Sequence, residues 1–144
     1  MDSYSKIYDA CLEYHLVRGK WDGMLATYIK NHTADFMSTT KKLHKEWRKH
    51  FNDEVLKRDK NQCKICKCKS GLDVHHITDR SEMPNGGYSS KNGITLCQKH
   101  HLDAEQYHRS KHLYFVEGFH PNDLYKLIGS SYEEAVEGCN KLIS

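Results

Sequence analysis

A chain of 144 residues is long enough for one domain with one modest core. Charged residues make up 28% of it and hydrophobic ones 38%, and no apolar run approaches the roughly 18 residues a membrane-spanning helix needs, so no membrane-spanning helix is expected. The net charge of +3 is unevenly spread: Lys41 to Lys69 carries eleven Lys/Arg against four Asp/Glu, while residues 113–144 carry two basic groups against five acidic ones. A basic block of this kind suits a polyanionic partner.

In chain order, Ile7, Cys11, Tyr14 and Val17 predict a helix over 3–18, with Gly19 just past its end. The loop Gly19 to Gly23 follows, then a second helix on Met24, Leu25, Tyr28 and Ile29. Neither carries evident chemistry. The clearest helical face comes next, over 38–60: Phe36, Leu43, Trp47, Phe51 and Val55 recur at spacings of seven or four, with Ser38 as N-cap and Asn52-Asp53 as an optional break. Lys41, Lys42, Lys45, Arg48 and Lys49 lie largely off that face, so the basic side is expected outward and the apolar side against the cysteine cluster that follows.

Residues 72–77 alternate as a short strand, residues 78–91 form a loop marked by Pro84-Asn85-Gly86-Gly87, and residues 92–96 form a second strand. A helix is expected from Gln98 to about His108. Two short helices close the chain, 121–128 with Pro121 in its first turn and 131–143 with Ser131 as cap. The first ten residues lack the basic and apolar regions of a secretory signal, which favours a reducing compartment and metal ligation over disulfides for the six cysteines. Cys11 and Cys139 read as small hydrophobic groups.

The chemistry concentrates between Cys63 and Glu105. Cys63, Cys66, Cys97 and His100 form a Cys3His set with the two-residue gaps that structural zinc prefers, although Cys68 is close enough to replace one of them. His75, His76 and His101 remain, more than a closed zinc site uses, and a second, open metal site is the natural employment for them.

The order Cys-x-x-Cys, Val-His-His-Ile, Asn-Gly-Ile-Thr-Leu-Cys, then His-His resembles the HNH endonuclease family, the zinc-braced form of the ββα-metal nucleases, over about residues 55–108. The resemblance implies an α+β fold: a small ββα-metal core braced by the Cys3His zinc site, with flanking N- and C-terminal helices. It implies that His75 binds a divalent ion, Mg2+ or Mn2+, that His76 is the general base, that His101 is the helix ligand, and that Asn92 holds the loop so that His76 stays aimed. Some members carry a second histidine where this chain has Glu105, which leaves Glu105 as a direct ligand, a ligand through water, an acceptor orienting an imidazole, or a surface group. His75 and His76 should point to opposite faces of a strand, hence take different tasks. Arg48, Lys49 and Arg80 are the expected contacts to DNA phosphates, whereas His108, His112 and His120 are expected on the surface.

The expected organisation is a basic N-terminal helical region (1–52), the nuclease core (53–110) and a C-terminal helical extension packed on it (111–144). The implied activity is hydrolysis of DNA phosphodiester bonds, by nicking or double-strand cutting, in the cytoplasm of a bacterium or of a phage-infected host. A homodimer is the simple route to a double-strand break. The alternative is a zinc-braced nucleic-acid binding module without catalysis.

Overall fold

The computed structural model describes residues 23–143, with side chains described for residues 41–142. The helix expected over 3–18, and Cys11 with it, lies outside the described residues. The chain divides into two compact units, Met1–Glu46 and Trp47–Ser144. In the first, the described residues are helical.

Helix α1 spans Gly23–Arg58. The two helices expected over 24–31 and 38–60 are therefore one. Nothing between Asn31 and Ser38 is a Gly or Pro, and a capping side chain starts a helix only where the preceding backbone has left helical geometry. The Asn52-Asp53 pair does not break it either.

The second unit is a small α+β assembly. Strands β1 (Leu72–His76) and β2 (Gly93–Cys97) pair antiparallel, from Leu72 opposite Cys97 to His76 opposite Gly93. Helix α2 (Gln98–Arg109) follows β2 without a loop, and α3 (Pro121–Leu127) and α4 (Tyr132–Asn140) close the chain. Among the described residues, no helix is long and apolar enough to cross a membrane.

Side chains alternate across a strand, so the hairpin has two unlike faces. Val74 on one face packs with Phe51 and Val55 of α1, Tyr88 and Leu142. Ile94 and Leu96 on the other join Cys63, Ala104 of α2 and the Phe119, Leu124 and Ala135 side chains of the C-terminal segment. The apolar face of α1 thus packs on the hairpin and Tyr88, rather than on the Cys/His cluster as the sequence suggested. Gly93 makes this approach feasible: a Cβ there would lie 2.6 Å from both Phe51 and Val55.

The end of α1 is tied to β2 by ionic hydrogen bonds. Buried Asp59 accepts the Thr95 N–H at 2.9 Å, and Arg58 donates to Asp59 and to the Ser90 and Gly93 carbonyls. On the same edge the Lys64 N–H donates to the Thr95 carbonyl at 3.0 Å, which docks the Cys63–Cys68 loop beside the hairpin. The connection from Thr78 to Asn92 is a run of short 3-10 turns, kinked at Asn85 and Gly86, whose φ angles are positive.

Candidate functional site

Three segments bring the first group of ligands together: the Cys63–Cys68 loop, the last residue of β2 and the first turn of α2. The candidate ligand atoms of Cys63, Cys66, Cys97 and His100 all lie within 4.8 Å of one another. The Cys66 and Cys97 sulfurs are 3.8 Å apart, and His100 Nδ1 is 3.6 Å from Cys63 Sγ and 3.2 Å from Cys97 Sγ. These four side chains could hold one metal ion. Burial pushes the Cys63 thiol up, but backbone N–H groups of Cys66, Cys97 and Ile65 together with His100 outweigh it and bring it down to about 6. Cys63 is thereby prepared to be a thiolate. Cys68 is not among these four, and its sulfur lies 3.7 Å from the Ser70 carbonyl.

A second group forms where the opposite end of β1 meets α2. His75 is buried, and its Nδ1 lies 3.1 Å from Glu105 Oε1. His101 Nε2 lies 3.3 Å from the same oxygen, and the two imidazoles are 5.2 Å apart between centroids. His75, His101 and Glu105 thus form a second cluster able to hold a metal ion. Glu105 is a member of it and not a solvated surface group: the His75 hydrogen bond holds its carboxyl down at about 2. Burial lowers the pKa of His75, so the ring is neutral and retains a lone pair for a ligand.

Two members of this arrangement escaped the sequence reading. Asp73 Oδ2 lies 3.4 Å from His101 Nδ1 and leaves Nε2 toward Glu105. His108 is half-buried, stacked 5.2 Å from His75, and its Nε2 donates to the His76 carbonyl at 3.0 Å. The expectation that His108 lies on the surface is therefore corrected. His112, by contrast, is exposed and pairs with Glu82 at 3.2 Å, and His120 caps α3 by accepting the Asn122 N–H. The periodic signal existed for both missed residues: Asp73 and His75 are two apart on a strand, and His101, Glu105 and His108 follow one helix face.

His76 points the other way. Its ring stacks on Phe51 at 4.6 Å and meets Tyr88 edge-on at 5.5 Å, and its Nε2 is buried without a hydrogen-bond partner. Burial, then the charges of Arg80 and His75, pulls its pKa to about 4, well below the ordinary imidazole value. The unfolded chain therefore takes up this proton first as pH falls, so the stability this site contributes is intact above about pH 6.5 and lost toward pH 4. Between pH 7 and 5 the loss from this one group is about 2 kcal/mol. His76→Phe keeps a ring against Phe51 and removes the titration, so urea unfolding at the two pH values should show a smaller acid penalty by that amount.

Asn92 fastens the connection between these parts. Its Nδ2 donates to the Thr78 and Gly87 carbonyls, at 3.0 and 3.2 Å, and its Oδ1 accepts from the Thr78 N–H and the Tyr125 hydroxyl, at 2.9 and 2.8 Å. All four hydrogen-bonding positions of the amide are filled. Gly87 permits this close approach, since a Cβ at its φ of +71° would lie 2.8 Å from Asn92 Nδ2. Asn92→Ala leaves buried donors and acceptors unpaired, with an expected cost of about 3 kcal/mol by urea unfolding and a loosened 78–91 segment by hydrogen exchange.

The expected phosphate contacts are placed as follows. Arg48 and Lys49 are exposed on α1. Arg80 is exposed in the loop, its guanidinium 5.3 Å from the Tyr88 ring centroid and close enough to His76 to depress that imidazole. No protein-family model, no curated protein and no solved structure matches the chain.

Proposed function

We propose that the chain is a metal-dependent endonuclease of the HNH type acting on DNA, with Cys63, Cys66, Cys97 and His100 holding a structural Zn2+ and His75, His101 and Glu105 holding Mg2+ or Mn2+. The observation that carries this reading is the convergence of His75, His101 and Glu105 from a strand and a helix, beside a separate Cys3His cluster. Zinc–sulfur bonds of about 2.3 Å in a tetrahedron put sulfurs about 3.8 Å apart and sulfur and nitrogen about 3.6 Å apart. The Cys66–Cys97 and Cys63–His100 separations have those lengths, and the Cys97–His100 edge, at 3.2 Å, is shorter.

At the second site two imidazoles and a carboxylate make a mixed donor set that accommodates Mn2+ and, through the carboxylate, Mg2+. Such an ion supplies charge stabilisation for the phosphate and the departing oxygen. The chain's own residues supply the rest. Asp73 orients His101 and Asn92 fixes the backbone that follows His76, while the general-base role of His76 requires its Nε2 to leave the enclosure between Phe51 and Tyr88 and reach the face that carries His75 and His101. Arg48, Lys49 and Arg80 contribute positive charge for the phosphodiester backbone.

One observation favours a second reading, a zinc-braced binding module without catalysis: His76 Nε2 is enclosed between Phe51 and Tyr88. Plasmid nicking by the full zinc-loaded chain, scanned over Mg2+, Mn2+ and Ni2+, separates the two. Activity that requires an added ion and disappears in His101→Ala supports the endonuclease. Wild-type protein that binds the plasmid and leaves it intact with every ion assigns the chain to the second class.

A further inference from the structure

A cavity of about 310 Å3 opens beside the end of β1, with Thr78, Glu82, Tyr107, His112, His120 and Tyr132 in its lining. Its walls are flat rings. Tyr107 and His112 lie parallel at 4.4 Å, and His120 meets Tyr107 edge-on at 5.1 Å. Tyr132 stands half-exposed at the first position of α4, free of any core role. The floor is fixed, because the buried Tyr125 hydroxyl bridges Thr78 Oγ1 at 2.7 Å and Asn92 Oδ1 at 2.8 Å. Burial pushes Tyr125 up to about 12, so this hydroxyl keeps its proton.

A second cavity of equal size shares Glu82 and His112 with the first and adds Asp79, Ser81, His108 and Lys111. It reaches His108, whose Nε2 holds the His76 carbonyl. The two cavities adjoin at Glu82 and His112.

We propose that the ring-lined cavity receives one unstacked nucleobase, and that the second cavity carries the adjoining backbone past Lys111 toward His108. Volume and shape decide the ligand class: about 310 Å3 suits a single flat heterocycle, and ring walls bind any base through its π-face. The Glu82 carboxylate, one oxygen of which lies 3.2 Å from His112 Nε2, sets the preference with the other. It accepts a hydrogen bond from an exocyclic amino group, as in adenine or cytosine, and is repelled by the carbonyls of thymine. Placement of the base next to a scissile phosphate rests on the endonuclease reading, whereas capture of the base does not.

The test uses the full zinc-loaded chain without Mg2+ or Mn2+ and a single-stranded oligothymidylate carrying one 2-aminopurine, whose fluorescence falls on stacking. Saturable quenching is expected, with an adenine-containing competitor displacing the probe about tenfold better than oligothymidylate. Tyr132→Ala should weaken binding about tenfold, the usual scale for one base on one ring. Glu82→Gln should keep the quenching and erase the difference between adenine and thymine. Both positions are exposed or half-exposed, so folding is unaffected. Absence of quenching, or quenching indifferent to both substitutions, overturns the proposal. His101→Ala should quench like wild type. Plasmids left intact by every variant while Tyr132-dependent quenching persists would remove the endonuclease reading and retain the base pocket; nicking without quenching would do the reverse.

Discussion

His76→Ala is expected to lower the rate of metal-dependent plasmid nicking by about 10²- to 10⁴-fold, the range by which a positioned general base accelerates a reaction. The expectation follows from the state of the ring. An imidazole pulled to about 4 is neutral at pH 7, so its lone pair is available without prior deprotonation. Such a group is a weak base in the resting protein and gains basicity as negative charge accumulates on the phosphate beside it. Zinc content should stay unchanged, because His76 lies outside both ligand clusters. His76→Phe provides the control for packing: it preserves the contact with Phe51 and should be as inactive as the alanine variant. Equal nicking rates in wild type and both variants would remove His76 from the chemistry.

Loss of the Cys3His site is expected to unfold the second unit. Cys63 and Cys97 are buried, and their cluster is where the loop, β2 and α2 meet. Apparent binding energies of structural zinc, about 10–16 kcal/mol in small domains, match or exceed the 5–15 kcal/mol by which whole domains are stable. Cys97→Ala, or extraction with a strong chelator, should therefore abolish the cooperative unfolding transition and the near-UV circular dichroism. Cys68→Ser is the internal comparison. Its sulfur is outside the cluster, so elemental analysis should still return the wild-type amount of tightly bound zinc and the urea midpoint should shift by less than about 1 kcal/mol. A folded Cys97→Ala protein, or a Cys68→Ser protein that loses zinc, would show that the ligand set is wrong.

Much of the second unit was legible in the chain. The two strands and the helix after Cys97 fall within a residue of their expected limits, because period-2 alternation, the Gly-rich connection and the Cys and His spacings agree with one another. The starts of the C-terminal helices were legible for the same reason, Pro121 in a first turn and Ser131 as a cap, whereas the cap of α3, His120, was not. Helix α1 was misread as two helices because Ser38 reads as an N-cap, whereas no Gly or Pro between Asn31 and Ser38 takes the backbone out of helical geometry. The ring-lined cavity was invisible, since Glu82, Tyr107 and Tyr132 are far apart in sequence and meet only after α2, α3 and α4 pack around the same core.

The sequence by itself determined the inventory and the local geometry: four candidate sulfur and nitrogen ligands in two pairs, three further histidines, and an asparagine ahead of a glycine. Ligand chemistry and short spacings are properties of the chain, whatever its surroundings. Tertiary structure alone decided which of these groups share an environment. It joined His75 to Glu105 across the hairpin and α2, turned His76 onto Phe51, set the Cys68 sulfur beside the Ser70 carbonyl and brought Asp73 and His108 to the histidine cluster. The reason is that a strand sends neighbouring side chains to opposite faces, and only the identity of the helix covering each face tells what each side chain meets.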